Sequence, residues 1–490
     1  MAGNETGMRK PRLRSTTVLL LWMAALAACV LALWAVPAAK VGTVRGGFGA
    51  IGSGSGPGAT AAAHLCDDLA DMDGRAATML LIGDGTTLPQ TRAGADQAYA
   101  GDLADADRQL ELLGSGIGAI PGGAGSFVAV ENQLNQYSQD IAQALYVDDQ
   151  VHGQAPAAPP AQALARYQDG SALMNRSGTG LLADGRNLLA EAQGSVQARY
   201  DGAFATIGQL RLWTILLTVL VVLALLAVQA GLSRRFKRRI NPPLALATVG
   251  AVIFGVLLTS ALDSAHSDYV RQKADAYDSI IALWQSRTAA AEMNASQSRY
   301  LLDAGGTGLA AQNGVPVEQA AFDAAAQQTV AETGAADDLY RTDVDAQSTR
   351  LQNEAGEGSR LTPDDVEDGY LGRELANLTF PGEENAAVAA FQAYDRFIDD
   401  DANYRDLIAR SGPHVDAAQY ATAVVDRDYA TYLADLDGAI AINQQQFAAA
   451  ADHGGRGLGP WLWMPAGWAL ATAGLVLLGF LPRLREYRRS

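Results

Sequence analysis

The stretch Tyr277–Asp303 gathers the chemically most capable side chains of this 490-residue chain: Trp284, Arg287, Asn294, Arg299 and Tyr300. Arg287 and Asn294 are seven residues apart and share a face if the stretch is helical. A guanidinium beside an amide and aromatic rings can clamp a carboxylate-bearing ligand through paired hydrogen bonds. These five residues are the candidate ligand-binding set. The positions 221 residues earlier are Ala63, Cys66, Asp73, Thr78 and Met79, which lack those groups. The spacing therefore assigns such a site to the second half of the chain alone.

Little else has the grouping that catalysis needs. His64, His152, His266, His414 and His453 are scattered, with no pair at helical ligand spacing. There is no Gly-rich phosphate loop and no nucleophile elbow. Cys29 and Cys66 give neither a disulfide framework nor a zinc pattern. The abundant Asp and Glu read as a solvated acidic face. The expectation is a protein that is not an enzyme and holds no metal or cofactor.

Four apolar runs must carry these residues: Thr17–Val36, Leu212–Ala230, Leu244–Leu262 and Trp461–Leu481, none containing Asp, Glu, Lys, Arg or His. Each approaches the roughly 20 residues a helix needs to cross a bilayer. Dense basic clusters flank one end of each run: Arg9–Arg14, then Arg234, Arg235, Lys237, Arg238 and Arg239, then Arg483–Arg489. The positive-inside rule puts these clusters in the cytoplasm. The expected plan is a basic tail (1–16), a span (17–36), an extracytoplasmic helical bundle (37–211), a span (212–230), a basic loop (231–243), a span (244–262), a second bundle (263–460), a span (461–482) and a basic tail (483–490). The protein is expected in the plasma membrane, multi-pass, with both termini cytoplasmic. Leu26-Ala27-Ala28-Cys29 resembles a lipoprotein cleavage box, but Val30–Val36 continues the apolar run past it. The run also exceeds an ordinary signal-peptide core, so an uncleaved helix is expected.

Charge follows this plan. The three basic pieces hold 13 basic and two acidic residues; the remaining 23 basic and 51 acidic residues give −28 of the total −17. An acidic exterior excludes nucleic acid as a partner. The basic pieces suit the anionic surface of a lipid bilayer.

The plan repeats. Asp71-Met72, Leu80-Leu81 and Gly85 match Glu292-Met293, Leu301-Leu302 and Gly306 at a constant offset of 221, which reads as an internal duplication. Steps of three and four recur in Leu65–Leu69–Met72–Ala76–Met79, in Val130–Leu134–Tyr137–Ile141–Ala144 and in Val425–Tyr429–Tyr432–Leu436–Ile440. Such steps are the seams of helical bundles. The expected fold is all-α, with four transmembrane helices and two tandem extracytoplasmic helical bundles of about four long helices each. Gly42–Gly58 is expected to interrupt the first helix, whereas the third should continue through His266 and Tyr269.

The two-bundle, four-pass plan with short basic connections, together with the Glu292-Met293-Asn294 and Asp71-Met72 helices, resembles the GlnX-type membrane proteins of high-GC Gram-positive bacteria. Each bundle is also similar to the four-helix ligand-binding domain of chemoreceptors. The resemblance implies amino-acid sensing, with an extracellular solute-binding lipoprotein as one partner and a cytoplasmic serine/threonine kinase of the PknG type as the other. The residues themselves suggest a non-catalytic transducer whose output, or whose lipid contact, is carried by Arg234, Arg235, Lys237, Arg238 and Arg239. An envelope scaffold or adhesion protein and an accessory transporter subunit are the alternatives. Self-association into a homo-oligomer is left open.

Overall fold

The computed structural model describes residues 15–52, 56–83, 88–152, 154–236, 241–306, 308–312, 314–331, 337–357, 368–413 and 415–488. The helices are α1 (Ser15–Ala50), α2 (Gly56–Ile82), α3 (Arg92–Gly116), α4 (Gly123–Asp149), α5 (Ala161–Asn175), α6 (Leu181–Phe236), α7 (Pro242–Val270) and α8 (Asp278–Gly305). They continue with α9 (Val317–Thr329), α10 (Asp337–Glu357), α11 (Tyr370–Leu375), α12 (Glu383–Ser411), α13 (Val415–Tyr420), α14 (Asp426–Gly457) and α15 (Met464–Arg488). A π-helical segment, Arg271–Tyr277, joins α7 to α8, so the predicted continuation past Tyr269 is observed. The paired strands among the described residues are two-residue segments, β1 (Ala311–Gln312) and β2 (Val315–Pro316).

The chain divides into two compact units. The first comprises Met1–Gly49, Tyr200–Tyr269 and Ala451–Ser490 and contains the apolar runs, which lie in four helical stretches long and apolar enough to cross a membrane. Its helices meet where a residue is small, as expected where lipid removes the hydrophobic drive and close approach must supply the attraction. Gly231 lies against the Trp22 ring, Gly255 against Thr218, and Gly479 against Leu244. Polar bonds between helices add to this: Gln229 Nε2 donates to Thr248 Oγ1 at 2.9 Å, Asn241 Nδ2 to the Gly479 carbonyl at 3.0 Å, and Trp468 Nε1 to the Gly250 carbonyl at 3.1 Å. Leu216, Leu220 and Leu223 remain exposed, as a lipid-facing stripe would.

The break expected in Gly42–Gly58 falls in its second part: α1 ends at Ala50 and α2 begins at Gly56. Gly42, Gly46, Gly47 and Gly49 lie within α1. Gly47 is needed for close approach: a Cβ there would stand 2.0 Å from the Tyr269 hydroxyl, which donates to the Val44 carbonyl at 2.8 Å. Packing against α7 overrides the low helix propensity of glycine.

The second unit comprises Ala50–Arg199 and Val270–Ala450. All fifteen seam positions named from the sequence are buried in it. The two halves of the chain meet within this unit through α2 and α8. Gly74 faces Ala295, with Cβ–Cβ spacing of 3.5 Å if Gly74 carried a methyl group. Thr78 Oγ1 lies 3.5 Å from Ser298 Oγ, and Asp67 bonds Arg287. Positions separated by 220 or 221 residues therefore meet along both helices, which run in the same direction. Ala61, Ala62, Ala70, Gly74 and Ala77 on α2 are small enough to allow this approach, and both helices are buried on nearly every face.

Candidate functional site

The candidate ligand residues do not converge. Arg287 and Arg299 are twelve positions apart on α8, about 18 Å along its axis, and each is held by one acid of the first half and one of the second. Arg287 Nε bonds Asp67 Oδ2 at 3.0 Å and its Nη1 bonds Asp437 Oδ1 at 2.5 Å, with the guanidinium 5.2 Å from the Trp284 ring. Arg299 bonds Asp73 Oδ2, Glu318 Oε2 at 2.6 Å and Ser296 Oγ at 2.9 Å. Asn294 is buried and Tyr300 half-buried, and neither lines the cleft described below. The assignment of this chemistry to the second half alone is thus corrected: the partners of both arginines include an aspartate of α2.

The reading of the acids as solvated needs the same correction. Asp67, Asp68, Asp73, Asp148, Asp401, Glu374 and Glu383 are all buried. Asp73, only 1% exposed, sits at the centre of a polar network. It accepts from Asn175 Nδ2 at 2.9 Å, Ser171 Oγ at 3.3 Å, and the hydroxyls of Tyr137 and Tyr167 at 3.4 Å each, besides Arg299. Burial, reinforced by the Asp73 charge, pushes both tyrosine hydroxyls well above their ordinary pKa. They therefore stay protonated and serve as donors.

Tyr167, Ser171, Asn175 and Arg299 of this network line a cleft of 540 Å³ in the second unit. One wall comes from α5 and the start of α6, with Tyr167, Asn175, Arg176 and Arg186; the other comes from α8 and α9, with Glu292, Arg299, Asp303 and Glu318. The volume suits a small molecule. The charges are balanced: Arg176 and Arg186 on one wall and Arg299 on the other accompany Glu292, Asp303 and Glu318. Arg186 is ion-paired to Glu292, and Gln168 Nε2 bonds Asp303 Oδ1 at 3.0 Å. Burial raises the Glu318 pKa against the pull of Arg299. Arg176, at the end of α5, is exposed and makes no ion pair with a described residue. Arg176 and Arg186 were not singled out from the sequence; their proximity to α8 depends on pairing across more than 100 residues, which no local pattern shows.

A second cluster lies on α2. His64, Asp67 and Asp68 occupy positions i, i+3 and i+4, and their ligand-capable atoms all lie within 4.8 Å of one another. His64 Nδ1 is 3.0 Å from Gln109 Nε2 on α3, and its ring stacks on Trp284 at 4.3 Å. Its Nε2 lies 3.4 Å from Asp68 Oδ1. Burial, then the Arg287 charge, lowers the His64 pKa and keeps the ring neutral. Burial, then repulsion from Asp67, pushes the Asp68 carboxyl up to about 9.

Of the basic loop residues, Arg234 is exposed in the last turns of α6, and Arg235 follows it in the same helix. Lys237, Arg238 and Arg239 lie outside the described residues.

Four apolar helices and a helical unit bearing a charged cleft mark the chain as an all-α membrane protein. The model of a family described as an actinobacterial sensor domain matches residues 47–201, which span α2 through α5 and the first part of α6, and this supports a sensor or signal-transducing role. No curated protein and no solved structure gives a significant match.

Proposed function

We propose that this protein is a non-catalytic transmembrane sensor that relays amino-acid availability outside the membrane to a partner inside it. The observation that carries this reading is the match of residues 47–201 to an actinobacterial sensor domain. The cleft gives it a chemistry. Arg176 and Arg186 on one wall, opposite Glu292, Asp303 and Glu318 on the other, suit a small zwitterion, with carboxylate toward guanidinium and ammonium toward carboxylate. Helix α6 supplies the route: its first turns line the cleft through Leu182, Ala183 and Arg186, and the same helix contains the apolar run Leu212–Ala230. A stiff helix can carry a shift along its axis.

In this reading the basic tails and the 231–243 loop are cytoplasmic. The resemblance to GlnX-type proteins supplies the partners: a solute-binding lipoprotein outside and a serine/threonine kinase inside. The 220–221 register of the α2–α8 contacts supports an origin by duplication.

The test is ligand binding by the full-length chain in lipid nanodiscs, followed by calorimetry and thermal shift with the standard amino acids. Binding that weakens in Arg176→Gln and in Glu292→Gln supports the reading. No heat and no shift with any amino acid would remove the cleft as the sensing site. Affinity capture from native membranes then distinguishes roles. Recovery of a solute-binding lipoprotein with a kinase supports transduction, whereas recovery of cell-wall or division proteins alone supports a scaffold.

A further inference from the structure

We propose that His64, Asp67 and Asp68 form a binding site for one divalent first-row metal ion of the zinc class, inside the second unit and apart from the charged cleft. One imidazole nitrogen and two carboxylate oxygens, all within 4.8 Å of one another on a single helix face, are a donor set that such ions favour. Tetrahedral coordination with bonds of about 2.1 Å would bring the three donors to about 3.4 Å apart. Side-chain rotations that bring the widest pair about 1.4 Å closer close the difference.

The independent observation is unsatisfied chemistry. Asp67 and Asp68 are 2% and 5% exposed, yet Asp67 Oδ1 and Asp68 Oδ2 make no hydrogen bond to any described group. Buried carboxylate oxygens are ordinarily satisfied. Arg287 occupies Asp67 Oδ2 and leaves Oδ1 open. It is also drawn toward Asp437, which moderates its repulsion of a cation. Asp68 Oδ1 lies 3.4 Å from the His64 imidazole Nε2.

The surroundings of the histidine match those of a metal ligand. Its Nδ1 faces the Gln109 side-chain amide at 3.0 Å. With that amide turned so that its oxygen accepts from Nδ1–H, Nε2 carries the lone pair and points toward Asp68. The Trp284 ring holds the plane of the imidazole. The His64 side chain is 30% exposed, which gives an ion a route from solvent. Three protein donors leave a coordination position for water, so the ion would exchange rather than lock the fold.

The test uses the untagged full-length chain in nanodiscs, titrated calorimetrically with Zn²⁺, Mg²⁺ and Ca²⁺, with Co²⁺ absorption as a second readout. The expected result is one Zn²⁺ per chain and a tetrahedral Co²⁺ spectrum. Affinity should fall by at least about tenfold in His64→Gln and in Asp68→Asn, both with wild-type helix content by circular dichroism. Zn²⁺ should also raise the melting temperature of the wild-type chain, a readout that needs no variant. Absence of Zn²⁺ binding at millimolar metal overturns the proposal. So does binding that persists unchanged in both variants, or a site that takes Mg²⁺ or Ca²⁺ as well as Zn²⁺.

Discussion

Replacing Asp73 by asparagine tests the centre of the α2–α8 interface. The substitution keeps size and removes charge. The carboxylate is 1% exposed and accepts from Arg299, Asn175, Ser171, Tyr137 and Tyr167. Loss of one partner of a buried ion pair costs about 3–5 kcal/mol. Asparagine offers one acceptor oxygen where two stood, and it turns an amide NH₂ toward donors. Arg299 keeps Glu318 and Ser296, which places the expected loss toward the lower end of that range. For a unit of this size about 2 °C of melting temperature accompanies each kcal/mol, so Asp73→Asn should melt about 6–8 °C lower. Arg299→Met should melt lower by a similar amount, because it leaves the buried Asp73 and the half-buried Glu318 without their cation. The double variant decides the matter, since it removes both charges. Its loss should fall short of the sum of the single losses by about 2 kcal/mol or more. The assay is thermal unfolding of each purified variant in the same lipid nanodiscs. A melting temperature of Asp73→Asn within 1 °C of wild type, or strict additivity in the double variant, would refute the account of this network.

Glu374 is fully buried; burial and then repulsion from Glu383 push its carboxyl from 4.5 up to about 8. A carboxyl that keeps its proton in the folded state, after the unfolded chain has lost it, makes stability fall as pH rises from about 4.5 to about 8. Glu374→Gln should flatten that slope and melt higher than wild type at pH 8, and an unchanged slope in a melting series would contradict the assignment. In the first unit, Arg211 pairs with Asp263 at 3.2 Å, Thr218 packs on Gly255, and Gln229 bonds Thr248. This antiparallel register sets Thr214 opposite Ser260, so Thr214→Cys/Ser260→Cys in a background lacking Cys29 and Cys66 should form a disulfide on mild oxidation; its absence would mean that α6 and α7 are not so paired. At Gly74 a methyl group would meet Ala295 at 3.5 Å and nothing larger fits. Gly74→Ala should be nearly neutral and Gly74→Leu should lose about 1–3 kcal/mol, and equal thermal stability of the two would argue against the close α2–α8 seam.

What the sequence made legible was whatever it encodes locally. The four spans declare themselves because a bilayer demands unbroken apolar runs of fixed length. The seams on α2, α4 and α14 declare themselves because helix periodicity puts Leu69, Tyr137 and Tyr432 on faces that must be buried. The other face of α2 was illegible. It carries Asp67, Asp68 and Asp73 among alanines and Gly74, a composition that imitates a solvated surface. It is buried because Arg287 and Arg299, more than 200 residues later, neutralise two of its three acids. Arg287 and Arg299 were recognisable as chemically capable, but not as already occupied. Occupancy depends on tertiary pairing, which local spacing does not report. Glycine was legible only in part: the break read in Gly42–Gly58 lies between Ala50 and Gly56, while Gly42–Gly49 stays helical, because Tyr269 requires the space at Gly47.

The occupied state of Arg299 bears on how a cleft of this kind could report a ligand. A guanidinium that already holds Asp73 and Glu318 has little capacity left for an incoming carboxylate. An acidic group binding there would have to displace one of them. Asp73 is the harder to displace, since four further donors hold it and its 1% exposure denies it water. Glu318, at 16% side-chain exposure and at the start of α9, is the easier. Competition at Arg299 would therefore loosen α9 from α8 while leaving α8 tied to α2. Arg176, exposed and without an ion pair among the described residues, offers the same carboxylate a contact that breaks nothing. The two arginines predict different consequences for one ligand: binding at Arg176 adds affinity without rearrangement, and only engagement of Arg299 spends binding energy on moving a helix. An Arg176→Gln variant that loses affinity but keeps the ligand-induced change, beside a Glu318→Gln variant that shows the change without ligand, would separate the two roles.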